Sequence, residues 1–203
     1  MSEALRLRAE NLGCERGGRL VFDHVNFELH AGELMELRGP NGTGKSSLLR
    51  LLAGLNTPAA GSIILENAGA DATLPEQSHY IGHAEANKPA LTVLQNLEFW
   101  AQVLGGAEIT NALSTFSLQA LAGDQALLLS AGQKRRLALA RLIVAKRPVW
   151  LLDEPTVGLD ATSISQLQAV AATHLEAGGM IIAATHTELG MKAERHLQLG
   201  PLR

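Results

Sequence analysis

One stretch of the sequence combines glycines, a lysine and two serines at a spacing suited to phosphate binding. It reads Gly39, Pro40, Asn41, Gly42, Thr43, Gly44, Lys45, Ser46 and Ser47. Glycines let backbone N–H groups turn inward around phosphate oxygens, and a helix that starts here adds partial positive charge. The lysine of such a pattern reaches the terminal phosphates, and the first serine hydroxyl binds Mg²⁺. A chance glycine-rich turn is the alternative, but the predicted strand before it and helix after it favour nucleotide binding.

Two carboxylates end an apolar run further along the chain. Val149–Leu152 is uniformly apolar, and Asp153 and Glu154 follow it. A buried strand that ends here would place Asp153 to hold Mg²⁺, directly or through water. Glu154 would then polarise an attacking water. A strand that simply ends in polar residues is the bland alternative, but the phosphate-binding stretch upstream favours nucleotide hydrolysis.

A second candidate site for an anion opens another helix. The segment Leu129-Ser130-Ala131-Gly132-Gln133 precedes a mostly apolar run, and Ser130 is the predicted N-cap of a helix there. The start of this helix offers free N–H groups and a hydroxyl to a phosphate. We therefore predict a second phosphate contact, separate from the glycine-rich loop.

Apolar patterns predict the elements that must position these residues. The predicted strands are Leu5–Asn11, Val25–Leu29, Leu34–Arg38, Ser62–Leu65, Val149–Leu152 and Met180–Ala184. The predicted helices begin near Lys45 and cover Thr92–Leu104, Ala131–Lys146 and Thr162–Ala177. The first two strands alternate apolar and polar residues, whereas the last two do not, which is typical of strands covered on both faces.

These elements predict an α/β fold with a P-loop NTPase core, in which the sheet is parallel or mixed. An antiparallel β subdomain and a small helical insertion at about 85–130 complete the predicted fold. We expect a single domain over residues 1–203, because one domain usually contains about 100–200 residues.

Composition narrows the class of protein. The chain has a net charge of −3 and only 3% aromatic residues, which argues against a protein that coats nucleic acid. Its 46% apolar content excludes intrinsic disorder. A lone cysteine, Cys14, leaves no disulfide within the chain and suits a reducing compartment. Since no apolar run approaches the ~20 residues of a membrane span, we expect a cytosolic chain that could sit against a membrane partner.

Two further motifs, Glu154–Asp160 and Thr185-His186, complete a set of five whose order and spacing resemble the ATP-binding cassette ATPases of ABC transporters. In that family two cassettes pair head to tail around two ATP molecules. The resemblance implies that the loop Gly39–Ser47 binds ATP, Ser46 and Asp153 hold Mg²⁺, Glu154 is the general base and His186 contacts the γ-phosphate. It also implies that Ser130, Ala131, Gly132 and Gln133, the signature, complete the partner's site and that Asp160 couples the two sites.

The sequence departs from the family at three positions. The signature has Ala131 where glycine is usual, and altered affinity rather than lost function is expected. Arg16 occupies the place of the aromatic residue that stacks on adenine; a guanidinium can stack on a purine, and a solvated loop arginine is the alternative. The glutamine that links the Mg²⁺ site to the membrane partner is replaced by His83 or Ala84, depending on a one-residue gap, and a plain surface histidine is the alternative.

Six basic residues lie close together: Lys134, Arg135, Arg136, Arg141, Lys146 and Arg147. A solvated helix face is the default interpretation of such a cluster. A surface that contacts the partner cassette or its phosphates is the second one.

Within the family, softer features resemble the ATP-binding subunits of the haem exporter of cytochrome c maturation. They are the short chain, CERGGRLVF after the first strand, the signature LSAGQKRR and the linking region IGHAEANKPALTVLQNLEFW. The resemblance implies a homodimer beneath integral-membrane subunits, on the cytoplasmic side of the inner membrane, with no nucleic acid and no residue that touches haem. The alternatives are a soluble cassette ATPase that acts on nucleic acid or ribosomes, a cassette for another substrate, and a subunit that does not hydrolyse ATP.

Overall fold

Two sheets and a group of helices form residues 4–69, 72–185 and 189–200, the parts described by this computed structural model. The strands are β1 (Arg6–Arg16), β2 (Arg19–His30), β3 (Leu34–Arg38), β4 (Ala60–Glu66), β5 (Ser78–Ile81), β6 (Val149–Asp153), β7 (Met180–Ala184) and β8 (Arg195–Gln198). The helices are α1 (Lys45–Leu52), α2 (Val93–Leu104), α3 (Ile109–Thr115), α4 (Ala131–Val144) and α5 (Ala161–Glu176). Two short 3₁₀ turns cover Gln119–Leu121 and Ala126–Leu128.

The central sheet has the order β5-β6-β7-β3-β8, and all of its pairings are parallel. Every residue of β6 and β7 is buried, which confirms the prediction of strands covered on both faces. Because the strands are parallel, their carboxyl ends meet at one edge. The glycine-rich loop after β3 and the carboxylates at the end of β6 therefore share that edge.

The second sheet is antiparallel, with the order β2-β1-β4, and it forms the predicted antiparallel subdomain. Its apolar face packs against α1 and one face of the central sheet; Leu7, Leu48 and Leu151 belong to this cluster. The opposite face of the central sheet, represented by Leu152, packs against α2–α5 in a second cluster. The α/β layering predicted from the sequence is confirmed.

The helices α2 and α3 and the two 3₁₀ turns form the small helical insertion between β5 and α4. Thr92 caps α2 in a capping box with Gln95, since each side chain bonds the backbone N–H of the other residue. Phe116 is fully buried where the insertion packs on α4. Among the described residues, none of the helices has the length and apolar character needed to cross a membrane.

Parts of the architecture were absent from the sequence prediction. Two edge strands, β5 and β8, were not predicted, and α4 ends at Val144 rather than at Lys146. The solvated-face interpretation of the basic cluster is wrong for Arg135 and Arg141, whose exposed fractions are 4% and 5%. Arg141 lies over the ring of Trp100, with its guanidinium carbon 4.6 Å from the ring centroid.

Candidate active site

One cleft of about 1120 Å³ collects most of the residues singled out by the sequence. They come from separate parts of the chain: Arg16, the loop Pro40–Ser47, His83, Asp153 and Glu154. The cleft also contains Arg19, Leu20, Val21, Val157 and Gly200, which sequence reasoning missed. The Gly17-Gly18 turn between β1 and β2 was the available signal for the first three, because a hairpin brings its flanking residues together.

The glycine-rich loop requires glycine for two different reasons. Gly44 caps α1 with a left-handed φ of 97°, and a Cβ there would lie 2.6 Å from Cγ1 of Val21. Gly42 also has a positive φ, of 84°, but no atom lies within 4 Å of the position of a Cβ. The backbone at Gly42 is therefore open to a close approach by a phosphate.

Lys45 is buried inside the curve of this loop. Its Nζ donates to the carbonyl oxygen of Gly39 at 2.6 Å and to that of Pro40 at 3.0 Å. The hydroxyl of Thr43 donates to the same Pro40 oxygen at 2.9 Å. The loop thus holds an ammonium group at the start of α1, where a phosphate is also favoured by the helix N-terminus.

Asp153 and Glu154 stand at the end of β6, on the wall of the cleft. Asp153 is buried, and Glu154 turns the chain through a left-handed backbone with φ of 48°. Such a conformation costs about 1–3 kcal/mol for a residue other than glycine, and it is retained where the surroundings fix it. The amide N–H of Glu154 donates to Ala184 at 2.8 Å, and Arg135 donates to the Glu154 carbonyl at 2.6 Å.

The donor set suits Mg²⁺. The hydroxyl of Ser46 and the carboxylate of Asp153 line the same cleft, and both are hard oxygen ligands. No group of three or more His, Cys, Asp and Glu side chains able to hold a metal occurs in the part of the chain described. A single carboxylate and a hydroxyl, supplemented by phosphate oxygens and water, are the usual ligands of Mg²⁺ at nucleotide sites.

His83 and Ala84, the two candidates for the linking position, face different clefts. His83 lines the nucleotide cleft, together with Asp153 and Glu154. Ala84 lines a separate cleft of about 480 Å³ that also contains Trp100. The geometry therefore favours His83 at this position.

The signature segment begins α4 away from the cleft. The hydroxyl of Ser130 accepts a bond from the backbone N–H of Gln133 at 3.3 Å, and the Gln133 side chain accepts from the backbone N–H of Ser130 at 2.8 Å. This capping box confirms Ser130 as the N-cap. Ala131 is the first helical residue, so its methyl is tolerated, whereas a Cβ at Gly132 would lie 2.9 Å from the Gly158 oxygen. None of the described residues that line the cleft belongs to this segment.

Asp160 and His186 are the two remaining residues predicted from the sequence. Asp160 caps α5, and its carboxylate accepts from the backbone N–H of Ser163 at 2.7 Å. The hydrogen bonds from Ser163 hold the pKa of this carboxyl below its usual range. His186 lies outside the residues described; Thr185 before it is half-buried at the end of β7.

Comparison with known proteins defines the class. The sequence profile of the ABC transporter family matches residues 22–157, and the chain belongs to that family. A solved ATP-binding cassette, a dimer in a post-hydrolysis state with ADP and phosphate bound, has a TM-score of 0.80 at 24% identity, over 95% of this chain and 94% of that one. This likeness shows the fold.

Individual proteins of similar sequence point to one group within this family. The chain is 52% identical over 198 residues to the cytochrome c biogenesis ATP-binding export protein CcmA of Nitrobacter winogradskyi, over 97% of this chain and 98% of that protein. It is 48% identical, over the same shares, to the protein of that name from Bradyrhizobium diazoefficiens. The resemblance found in the motifs and in the linking region is confirmed.

Proposed function

We propose that this chain is the ATP-hydrolysing subunit of an ABC export complex in cytochrome c biogenesis, with haem export as its task. The convergence of Lys45, Ser46, Asp153 and Glu154 in one cleft carries the proposal. Identity of 52% and 48% to CcmA proteins along almost the whole chain supports the pathway. Its place is the cytoplasmic side of the inner membrane, beneath integral-membrane subunits.

The hydrolysis follows from the groups in the cleft. A water oxygen attacks the γ-phosphorus of ATP while its proton passes to the carboxylate of Glu154, and the bond to the β-phosphate oxygen breaks to give ADP and phosphate. Lys45 and the loop amides bind the phosphate charge. Ser46 and Asp153 would hold Mg²⁺, which when bound neutralises charge on the β- and γ-phosphates. His186 contacts the γ-phosphate in this scheme.

Recognition of the base and completion of the site involve different groups. The guanidinium of Arg16, on the wall of the cleft, stacks on the adenine ring. Ser130 and Gly132 reach the γ-phosphate held by a second copy of the chain, and Asp160 couples the two sites. The position of the signature outside its own cleft supports this two-chain arrangement.

A capture experiment tests the assignment. The tagged full chain is purified from detergent-solubilised membranes, and deletion of its gene is scored for mature cytochrome c. We expect integral-membrane subunits in the eluate and loss of cytochrome c. Recovery with nucleic acid or ribosomes, and without membrane proteins, would make it a soluble ATPase. Membrane subunits without a cytochrome c defect would assign it another cargo.

A further inference from the structure

Arg135 is a buried cation whose guanidinium donates to four backbone carbonyls. It lies in the second turn of α4 and is 4% exposed. Its Nη1 donates to Gly82 at 2.8 Å, and its Nη2 donates to Asp153 at 2.9 Å and to Glu154 at 2.6 Å. Its Nε donates to Pro155 at 3.3 Å.

The four carbonyls belong to two segments of the nucleotide cleft. Three lie in the turn that carries Glu154, and the fourth, on Gly82, directly precedes His83. Both Glu154 and His83 line the cleft. The guanidinium therefore bonds the backbone segments that carry two of the side chains in the nucleotide cleft.

Nearby carboxylates offset the cost of burying the charge of Arg135. Burial lowers the pKa of its guanidinium, while the nearby carboxylates of Glu85, Asp153 and Glu154 favour the charged form. A buried charge is retained where its hydrogen bonds are well satisfied. Here those bonds are concentrated on the left-handed turn at Glu154, which is a conformation that needs external support.

We propose that Arg135 is a positioning residue for ATP hydrolysis, which acts by fixing the backbone that carries Glu154 and the adjoining loop that carries His83. This inference rests on the proposed role of Glu154 as general base. It assigns a function in hydrolysis to a residue of α4 that does not itself line the cleft.

Lysine and glutamine cannot replace this side chain fully. Arginine presents five donors in a rigid planar fork, which allows bonds to carbonyls that lie in different directions. The ammonium of lysine keeps the charge but places its three donors on one atom, and glutamine offers one amide without charge. The series Arg, Lys, Gln therefore removes the fork first and the charge second.

The steady-state kinetics of the purified full chain test the proposal. For Arg135→Gln we expect kcat to fall about 10–100-fold, with KM for ATP changed less than about threefold, because a small displacement of a catalytic group costs rate rather than binding. Arg135→Lys should lie between this variant and the wild type. It also provides the same kcat-against-KM reading if Arg135→Gln does not fold.

Arg147→Gln is the matched control. Arg147 also bonds backbone carbonyls of two segments, at Glu76 and Leu104, but it does not line the nucleotide cleft. We expect its kcat to stay within about twofold of the wild type, since only a structural contact is lost. A folded Arg135 variant with an equally small change in kcat would overturn the proposal, as would a loss explained wholly by weaker ATP binding.

A combined variant separates this proposal from the one on which it rests. In a Glu154→Gln background, Arg135→Gln should lower the residual rate by a clearly smaller factor than in the wild type, because the base is gone and only the loop of His83 remains to be positioned. An equal fold loss in both backgrounds would contradict the positioning role of Arg135 and would leave the assignment of Glu154 as the base intact. If Glu154→Gln by itself kept the wild-type rate, the assignment of the base would fail, and the role of Arg135 would fail with it.

Discussion

At the scale of single residues, the chemistry depends on backbone conformations as much as on side-chain types. Glu154 leaves β6 through a left-handed turn that is bonded to Ala184 and Arg135. Lys45 is held by two carbonyls of its own loop. These hydrogen bonds fix the backbone at Glu154 and the ammonium of Lys45, so that little reorganisation is needed during the reaction.

Glu154→Gln should abolish turnover without abolishing ATP binding, because the amide keeps the shape of the side chain and loses the base. We expect kcat to fall at least about 100-fold, as is typical when a general base is removed. ATP-bound dimers should accumulate, which size-exclusion chromatography detects. Glu176→Gln, at the exposed end of α5, is the control. A Glu154→Gln rate above about a third of the wild type would rule out this base, given the size of such effects.

Lys45→Ala should weaken nucleotide binding itself. Hydrogen bonds to charged groups contribute about 1.5–3 kcal/mol, so the Kd for ATP measured by calorimetry should rise about 10–100-fold. Lys146→Ala removes an exposed lysine that lies outside the cleft and should leave the Kd unchanged. An unchanged affinity in Lys45→Ala would contradict the assignment of the phosphate-binding loop.

At the scale of elements, the sequence predicted the helices and strands that have a local pattern, but it did not predict the edge strands of the central sheet. The N-cap Ser130, the apolar spacing of α2 and the apolar runs of β6 and β7 are short-range patterns, and each was predicted from its own segment. The strand β5 contains the buried polar pair Ser78-His79, which hides the apolar signal of a strand. The burial of Arg135 depends on carbonyls more than 15 residues away in sequence, so the local charge pattern could not reveal it.

Two histidines, the buried His79 and the half-buried His174, predict a stability that depends on pH. Burial lowers the pKa of His79 and that of His174 from 6.5 to about 4. His79 Nε2 contacts the Ala145 oxygen at 2.7 Å, and His174 stacks on Trp150. Between about pH 6.5 and pH 4 the unfolded chain binds protons that the folded chain excludes, so stability is full above this window and falls as the pH decreases.

Urea unfolding at pH 7.5 and at pH 5 measures this effect. The free energy of unfolding of the wild type should decrease between these two values. A His79→Gln, His174→Gln double variant should show a smaller decrease, even if it is less stable at both. An equal pH dependence in the two proteins would contradict the assignment of the effect to these histidines.

At the scale of the whole molecule, the signature segment and the nucleotide cleft of one chain lie apart. The nucleotide cleft contains the phosphate-binding loop and the carboxylates of β6, whereas Ser130 begins α4 outside it. Two copies in head-to-tail contact would complete each cleft with the signature of the other. In a dimer with two-fold symmetry the interface is isologous, so two equal sites form together.

Mixing two inactive variants tests the central claim that each site needs two chains. Lys45→Ala disables a chain's own loop, and Ser130→Arg disables what it offers to its partner. In the mixed dimer one site carries both lesions and the other carries none. Equal amounts should therefore recover up to about a quarter of the wild-type ATPase rate, because half of randomly paired dimers are mixed and each has one intact site. No recovery on mixing, together with a wild-type rate strictly proportional to concentration down to nanomolar protein, would contradict the two-chain site.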